Sequence, residues 1–210
     1  MTRPSTRARP RGAYHHGDLR ATLLREAEAI LERDGIPALT LRAAARAAGV
    51  SHAAPANHFD DLTGLLSELA ADGFRRFSAA LSAAMEAAGS DPRPRMTAMG
   101  RAYIHFARAH PGLFALMFRS ERLDFARPSL RAAVDEARTS LRVATAARAP
   151  AGDWTPLQQA AQATALWSLV HGFAVLMIEG RLKGTLAALP PSAGLDELID
   201  AVLGTTRVAD

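Results

Sequence analysis

The sequence predicts an all-α protein of about nine helices, and three observations support this. Alternating runs of β-branched residues, which would indicate strands, are absent, whereas Ala, Leu, Arg and Glu dominate. Apolar residues recur at the three- and four-residue spacing of helices in several segments. Finally, 49% of the 210 residues are hydrophobic, which is enough for a substantial core in one or two domains.

Composition narrows the chemistry that the chain can perform. It contains no cysteine, which excludes disulfides, thiolate nucleophiles and cysteine-ligated zinc.

The net charge is +4, and arginines are concentrated in residues 1–13, where no acid occurs. We predict that residues 1–13 form a disordered basic arm, which beside a DNA-binding unit can follow phosphates or the minor groove. No apolar segment follows this arm, so it is not a signal peptide, and we expect a cytoplasmic protein.

A long amphipathic helix is predicted first, from about Asp18 to Asp34. Its inward stripe is apolar at helical spacing, while the opposite face carries charged residues. Gly35 is expected to end this helix, because glycine accepts the backbone conformations that terminate helices. The stripe consists of Leu19, Leu23, Ala27, Ile30 and Leu31.

Residues 38–59 predict two short helices joined by a glycine turn. Thr40 is a suitable N-cap for the first helix, and Gly49 can take the left-handed conformation that ends it. Ser51 is then expected to cap the second helix, which runs to Phe59. No acid occurs in this segment, so the pair is locally basic. Such a pair can present a recognition helix to the DNA major groove, although a helical hairpin inside a larger bundle fits the periodicity equally well.

A fourth, long helix is predicted to begin at Asp60 or Asp61 and to continue to about Ala88, which carries the chain into a second domain. After a break at 89–95, three further helices are predicted around a His-Pro-Gly corner at 110–112. The apolar positions of these three helices are Met96, Met99, Tyr103, Phe106 and Ala107, then Leu113, Phe114, Leu116, Met117 and Phe118, and finally Leu130, Val134, Ala137 and Leu141.

The most apolar helix is predicted over residues 156–182, with Thr155 as its cap and Pro156 at its first position. Its apolar span from Ala163 to Ile178 is predicted to be too short for a membrane helix. A helix that is apolar on nearly every side must be covered by its own chain and by a second subunit. A last helix, apolar at i, i+3, i+4 and i+7, is its expected companion. We predict a homodimer interface that includes Leu195, Leu198, Ile199 and Val202.

Five short motifs near the start of the chain are specific in their order and spacing. They are YHHGDLR at 14–20, Gly35, LTLRAAARAAGVS at 39–51, HF at 58–59 and the leucine pair at 65–66. Together they resemble the N-terminal domain of the TetR/AcrR family of bacterial transcriptional regulators. The resemblance implies a three-helix DNA-binding domain over residues 14–63, which contains a helix-turn-helix.

Two later motifs extend this resemblance. HPGLFALMF at 110–118 and WSLVHGFA at 167–174 resemble the His-Pro corner and the Trp-x-x-x-His-Gly signature of one type of C-terminal domain in the family. They imply a helical effector-binding and dimerisation domain over residues 64–210. Two positions differ from the family, because Ala56 stands where a tyrosine is usual and Leu62 where a lysine is usual. Both usual residues hold phosphate, so these differences bear on the strength of DNA binding.

The resemblance also implies roles on the DNA-binding face. The start of the first short helix should approach phosphates, and the start of the second should meet the groove. Asn57 can read an adenine edge with two hydrogen bonds, although a phosphate contact or a solvated position fits the sequence as well. An alanine methyl group can contact a thymine methyl group. The predicted DNA-binding residues are Thr40, Arg42, Ser51, His52, Ala53, Asn57 and His58.

The second domain offers candidates for a ligand cavity. Methionine and aromatic side chains suit an adaptable apolar pocket, but they suit a tightly packed core equally well. In the packed core each imidazole would be hydrogen-bonded to a backbone carbonyl group. The sequence leaves both interpretations open for Phe106, His110, Phe114, Met117, Trp167 and His171.

No catalytic constellation is apparent. Ser168 lies three residues before His171, but no acid is placed to orient the histidine, and the other histidines lack metal-ligand spacing. We therefore predict a non-enzymatic protein without cofactor or metal. The predicted function is that of a homodimeric repressor, which a small apolar or amphipathic effector releases from a near-palindromic DNA operator. The alternative is a helical small-molecule-binding protein with weakened or lost DNA binding.

Overall fold

The computed structural model describes residues 16–146 and 154–205, and within these ranges the predicted all-α fold is confirmed. The chain forms ten α-helices and two short 3₁₀ turns there, with no strand. The predicted basic arm at residues 1–13 lies outside the described residues. The helices are α1 (His16–Asp34), α2 (Leu41–Ala47), α3 (Ala54–Phe59), α4 (Leu62–Ala87), α5 (Pro92–Ala109), α6 (Pro111–Met117), α7 (Pro128–Ala146), α8 (Pro156–Ile178), α9 (Lys183–Ala187) and α10 (Leu195–Gly204), and the 3₁₀ turns are Ile36–Ala38 and Ser120–Arg122.

The ends of the first two helices carry the capping residues that the sequence predicts. Gly35, at φ 78°, follows α1 directly. The Thr40 hydroxyl accepts a hydrogen bond from the Ala43 amide at 3.0 Å, which satisfies one free donor at the start of α2. Gly49, at φ 68°, follows α2 and turns the chain towards α3.

The predicted start of the second short helix at Ser51 is wrong. α3 begins at Ala54, and the Ser51 carbonyl accepts a turn-type hydrogen bond from the Ala54 amide at 3.1 Å. If Ser51 were the N-cap, its carbonyl would accept an α-helical bond from the amide of residue 55. Pro55 has no amide hydrogen, so this bond cannot form. Residues 51–53 therefore belong to the turn, and the cap moves two residues along the chain, from Ser51 to Ala53.

Helix α4 is the longest helix and packs against helices from both halves of the chain. Asp61 caps it, as predicted, by accepting a hydrogen bond from the Gly64 amide at 2.8 Å. Near its start α4 contacts α1 and α3, and along its length it packs extensively against α5, α6 and α7. The predicted domain boundary between residues 63 and 64 thus falls in the first turn of a continuous helix, and the boundary stays a prediction.

One apolar core runs through both halves of the chain. Its fully buried side chains include Leu23 of α1, Phe59 of α3, Leu69 of α4, Leu113 of α6 and Leu130 of α7. A smaller cluster connects α5, α8 and α10, and it consists of Ile104, Phe173, Ile199 and Leu203. Because α4 contributes to the large core along most of its length, it fixes the position of α1–α3 relative to the remaining helices.

The apolar helix α8 begins as predicted but ends earlier. Thr155 and Gln158 form a capping box at its start. The prediction extended this helix to residue 182, whereas α8 ends at Ile178, since Gly180 adopts φ 70° and turns the chain. The short helix α9 follows this turn. It accounts for the difference between the nine helices predicted and the ten found in the described residues.

By length and composition alone, α8 could cross a membrane, and it is the one helix of the described ranges for which this holds. The prediction that its apolar span is too short is wrong in this respect, because the helix continues over 23 residues. A single helix of this kind is weak evidence for a membrane span, since a core helix of a soluble protein meets the same criteria.

Replacement of Gly64 by alanine tests the close contact between α3 and α4. A Cβ atom at this position would lie 1.8 Å from the Phe59 carbonyl oxygen and 2.6 Å from a guanidinium nitrogen of Arg127, so the two helices would have to separate. We expect Gly64→Ala to lower the free energy of unfolding by about 3 kcal/mol or more. Denaturant titration followed by circular dichroism measures this change.

Gly184→Ala is the matched control for this experiment. Apart from the adjoining residues and the backbone of α9 itself, no atom of the described chain lies within 4 Å of a methyl group added at this position. We expect this substitution to raise the free energy of unfolding by roughly 0.5–1 kcal/mol, because alanine has a higher helix propensity than glycine. If Gly64→Ala unfolded at the same denaturant concentration as the parent protein, the α3–α4 contact would be looser than the structure indicates.

Candidate DNA-binding surface and ligand cleft

The start of α2 presents polar and basic side chains to solvent. Thr40 and Arg42 are exposed, and so is Arg46 one turn later on the same face. Within the described part of the chain, neither guanidinium group has an ion-pair partner. These charges are therefore available to an anionic partner.

Helix α3 has one inward and one outward face. Pro55 and Phe59 are buried on the inward face, whereas Ala53, Ala56 and Asn57 are exposed on the opposite side. The exposed positions follow the i, i+3, i+4 spacing of a single helical face. This face carries small side chains and one amide, so its backbone can approach another surface closely.

The remaining residues of the predicted DNA-binding set lie in two different environments. Ser51 and His52 are exposed in the turn before α3. His58 is half-buried, and its ring lies 6.2 Å from that of Phe59. Six of the seven predicted residues are thus exposed, on α2, on α3 and in the turn between them, whereas His58 is partly buried.

The backbone between α3 and α4 adopts a strained turn at Asp60. Its φ of 66° and ψ of −63° are those of a γ-turn, which is closed by a hydrogen bond from the Asp61 amide to the Phe59 carbonyl at 2.8 Å. A non-glycine residue in this conformation is destabilised, so surrounding contacts must hold it. Arg127 supplies them: its guanidinium donates to the Asp60 carboxylate at 2.9 Å and to the Phe59 carbonyl at 3.5 Å.

Arg127 lies just before α7, so it connects the end of α3 to the second half of the chain. Its guanidinium is 3.6 Å from the nearly buried carboxylate of Glu68 in α4. Glu68 is also paired with Arg20 of α1, and it accepts a hydrogen bond from the Ser129 hydroxyl at 2.7 Å. The hydrogen bond to Asp60 raises the pKa of Arg127 above its already high usual value. A single charged network thus joins α1, α3, α4 and α7.

A second charged network joins α1, α4 and α6. The carboxylates of Glu28 and Glu32 and the imidazole of His110 lie within 4.8 Å of one another, which is a spacing that a metal ion could use. Arg76 already occupies this cluster, because its guanidinium is 2.7 Å from Glu28 and 3.4 Å from both ring nitrogens of His110. Glu32 accepts from two amides at the start of α6, at 2.8 and 2.9 Å. The cluster therefore has the character of an ion-pair network.

A cleft of about 2260 Å³ opens between α4, α5, α7 and α8. Its volume exceeds the roughly 300–1,000 Å³ of ordinary small-molecule pockets, because it continues onto the open surfaces of α8 and α10. The inner wall is aromatic and apolar. This wall includes Phe74, Phe77, Tyr103, Met117, Phe118 and Trp167.

Tyr103 is the centre of the polar contacts on this wall. Its hydroxyl accepts a hydrogen bond from Nε1 of Trp167 at 3.3 Å and lies 2.9 Å from Nδ1 of His171. Burial raises the pKa of Tyr103 and lowers the pKa of His171, so both groups are neutral at pH 7. The tyrosine hydroxyl then donates to Nδ1, which leaves the proton of His171 on Nε2.

The partners of His171 also bear on catalysis. Its Nδ1 is bonded to a phenol and not to a carboxylate, and Ser168 is exposed on α8. A serine hydrolase requires an acid that orients the histidine and a hydroxyl that the histidine can deprotonate. His171 and Ser168 do not form that arrangement.

The structure divides the predicted ligand-binding residues into three pairs. Met117 and Trp167 line the cleft. Phe114 and His171 lie behind its wall, with their rings 5.6 Å apart. Phe106 packs against Phe77 in the core and touches His110, which belongs to the second charged network. Phe125 and Trp154, which line the cleft, lie in irregular segments where no helical periodicity indicates a direction.

Helix α8 leaves much of its apolar surface uncovered in the single chain. Only Leu166, Phe173 and Ala174 of this helix are buried. By contrast, Leu157 is 79% exposed, and Trp167 and Leu176 are each 42% exposed. Exposed apolar side chains in this number on one helix are typical of an interface.

Helix α10 carries the four predicted interface residues, and only three of them are partly exposed. Leu195, Leu198 and Val202 are half-buried against the smaller core cluster. Ile199 is completely buried and packs with Ile104 of α5 in its own chain. Of the four predicted interface residues, Ile199 therefore cannot contact a second subunit in this conformation.

Residues 96–202 match the family model of the tetracycline repressor-like C-terminal domain. Among solved structures, the chain is similar to a protein of unknown function from Rhodococcus sp. RHA1, with 37% sequence identity, coverage of 93% of this chain and 94% of that chain, and a TM-score of 0.74. None of the curated proteins matches the chain.

Two more distant structures share the fold. The TetR family transcriptional regulator PfmR from Thermus thermophilus is 20% identical, with coverage of 87% of this chain and 94% of that chain and a TM-score of 0.62. A TetR family transcription regulator from Marinobacter aquaeolei is 17% identical, with coverage of 90% of this chain and 93% of that chain and a TM-score of 0.65.

Replacement of Arg127 tests the network at the end of α3. Arg127→Met keeps much of the side-chain volume but leaves the strained turn at Asp60 without its partner and removes one cation from Glu68. We expect a loss of about 2–3 kcal/mol in the free energy of unfolding and faster hydrogen exchange at the Asp61 amide. The control is Arg131→Met in α7, where an exposed pair with Asp135 contributes at most about 1 kcal/mol. Equal losses in the two variants would contradict a special role for Arg127.

Proposed function

Since this chain belongs to the TetR family of transcriptional regulators, we propose that it is a homodimeric repressor that a small molecule releases from its operator. The outward face of α3 is the observation that carries the DNA-binding part of this proposal. Ala53 and Asn57 are exposed there, with Ser51 and His52 in the preceding turn. Small side chains let the helix enter a major groove, and the Asn57 amide can pair with an adenine edge.

Basic residues beside α3 would position the protein on the DNA backbone. Arg42 and Arg46 are exposed on α2, and no described acid neutralises them. The two acids after α3 are already engaged, because Asp60 is paired with Arg127 and Asp61 caps α4. Repulsion of phosphates by these acids is therefore reduced. This offsets part of the DNA affinity that is lost because Ala56 and Leu62 replace phosphate-binding residues of the family.

A homodimer would explain the apolar surface of α8. This surface continues onto α10, so a second copy that packs against both helices would cover Leu157 and Leu176 together with Leu198 and Val202. A two-fold axis between the subunits would place two α3 helices in successive major grooves, roughly 34–36 Å apart. The operator is then a near-palindrome.

The cleft offers a route by which a ligand can act on the DNA-binding surface. Phe125 lines the cleft and stands two residues before Arg127 in the chain. The same segment is bound to α4, because the Asp124 amide donates to the Ser67 hydroxyl at 2.9 Å. A ligand that displaces this segment alters the contact between Arg127 and Asp60. Such a ligand favours release only if it binds more tightly to the state with the displaced recognition helix.

A second candidate function is a helical small-molecule-binding protein that has lost DNA binding. Ala56, where the family usually has tyrosine, is exposed on the outward face of α3 and cannot hold a phosphate. Selection of genomic DNA fragments by the purified full-length protein separates the two candidates. Recovery of a specific near-palindromic sequence supports the repressor, whereas recovery of random fragments supports the second candidate.

Salt dependence distinguishes backbone contacts from base contacts. Arg42→Gln removes one proposed phosphate contact, so the slope of log affinity against log salt should decrease by about 0.9 for each DNA-bound subunit. Asn57→Ala should leave this slope unchanged. It should weaken binding by roughly 1–3 kcal/mol, mainly to DNA that carries the base pair which Asn57 contacts. Fluorescence anisotropy with the selected DNA at several salt concentrations measures both quantities.

Arg181→Gln is the control for the salt experiment, because it removes the same charge from the exposed pair with Glu179, after α8. It should leave the slope unchanged. A decrease of the slope in Arg181→Gln equal to that in Arg42→Gln would show that total charge matters and not the position on α2.

Charge introduced on the exposed apolar surface tests the homodimer. Leu176→Glu combined with Leu198→Glu places four carboxylates in the proposed interface, so we expect monomers with weak DNA binding. Light scattering after size-exclusion chromatography gives the mass, and circular dichroism checks the helix content. Ala132→Glu, exposed on α7, is the control and should remain dimeric. A dimeric mass for the double variant would place the interface elsewhere.

A further inference from the structure

Helix α7 presents a stripe along the cleft that changes from apolar to basic. Val134, Arg138 and Arg142 follow one another at four-residue spacing and all line the cleft. Ala137 and Leu141 run beside them and line it as well. The two arginines are exposed and Val134 is buried, so the guanidinium groups lie towards the open side.

The positive charge of Arg138 and Arg142 is not balanced by the described part of the chain. Neither guanidinium has an ion-pair partner there, and like charges at i, i+4 destabilise a helix by roughly 0.2–0.5 kcal/mol. The acids of the cleft are used by other groups, because Asp200 is paired with Arg101 and Asp91 accepts from the Arg93 amide at 3.0 Å. The arginine pair therefore remains free to bind an anion.

The rest of the cleft is suited to a long apolar chain. Along α8, the lining residues extend from Pro156 to Val170, which corresponds to roughly 21 Å at 1.5 Å per residue. Gln159 lies near the start of α8, whereas Trp167, one helix turn before His171, belongs to the aromatic wall. The cleft is thus elongated, with aromatic rings and methionine on its inner wall and two guanidinium groups at its open side.

We propose that the cleft binds an aliphatic chain that ends in a carboxylate or phosphate group, with the chain against the aromatic wall and the anion between Arg138 and Arg142. Guanidinium groups bind carboxylate and phosphate oxygens through paired, charge-assisted hydrogen bonds. The apolar wall removes the chain from water. As the effector of the repressor, this class of ligand rests on the function proposed above, but binding itself can be measured without DNA.

The two tryptophans of the chain make binding directly observable. Trp154 and Trp167 both line the cleft, so occupancy should change the intrinsic fluorescence of the full-length protein. The probes are dodecanoate and dodecyl phosphate, with dodecanol and dodecylammonium as neutral and cationic probes of the same chain length, all below their micellar concentrations. We expect one or both anionic probes to bind at least about tenfold more tightly than dodecanol, and dodecylammonium to bind most weakly. The better anion identifies the head group.

Variants of the two arginines locate the head group. Arg138→Gln and Arg142→Gln should each weaken binding of the better anionic probe by about tenfold and leave dodecanol binding unchanged. Arg131→Gln removes the same charge on the same helix outside the cleft, and it should leave the affinity unchanged. Equal binding of all four probes, preference for dodecylammonium, or equal effects of the three variants would overturn the proposal.

Failure of this inference and failure of the proposed function give different results. If the anionic probes do not bind but the protein still binds a specific DNA sequence, the ligand class is wrong and the repressor remains. If the probes bind in an arginine-dependent way but no specific DNA is selected, the ligand class holds and the repressor is wrong. Binding to both, with release of DNA by the anionic probe only, supports the two proposals together.

Discussion

The carbonyl group of Phe59 lies against the backbone of α4 at Gly64, and this close approach determines how α3 is held. Any side chain at position 64 would enter the space of that carbonyl. The chain between the two helices must therefore reverse within a strained γ-turn at Asp60. Arg127 stabilises this turn from the other half of the molecule. The orientation of the proposed DNA-binding surface thus depends on a contact that the first three helices do not provide by themselves.

Helix α4 transmits this dependence because it belongs to both halves of the chain. Its first turns pack against α1 and α3, and the rest of the helix forms the wall that α5, α6 and α7 cover. The charged networks around Glu68 and Arg76 connect α1 to this wall at two points. Phe74 and Phe77 of the same helix line the cleft. A packed core has discrete arrangements, so occupancy of the cleft and the position of α1–α3 are expected to change together.

The apolar helix α8 has two functions in the proposed repressor, and they explain its composition. Its inward residues cover α5 and close the cleft, whereas its outward residues remain exposed in the single chain. A second copy would cover the outward surface, which is why the sequence of this helix lacks a clear polar face. Homodimer and operator remain predictions, as do the individual DNA and ligand contacts, because each depends on a partner outside the single chain.

The sequence by itself determined the features that depend on local chemistry. Helical periodicity predicted nearly all helices, and capping residues such as Thr40 and Asp61 placed several ends correctly, since a cap needs only its own next turn. The start of α3 is also a local feature, because Pro55 lacks the amide hydrogen that a cap at Ser51 requires. Tertiary structure alone decided that Arg127 reaches Asp60 and that Ile199 is buried in its own chain. It also decided that His110 contacts Arg76 and does not line the cleft. These contacts join residues far apart in the chain, and no short-range pattern encodes which of them the packing of α4 brings together.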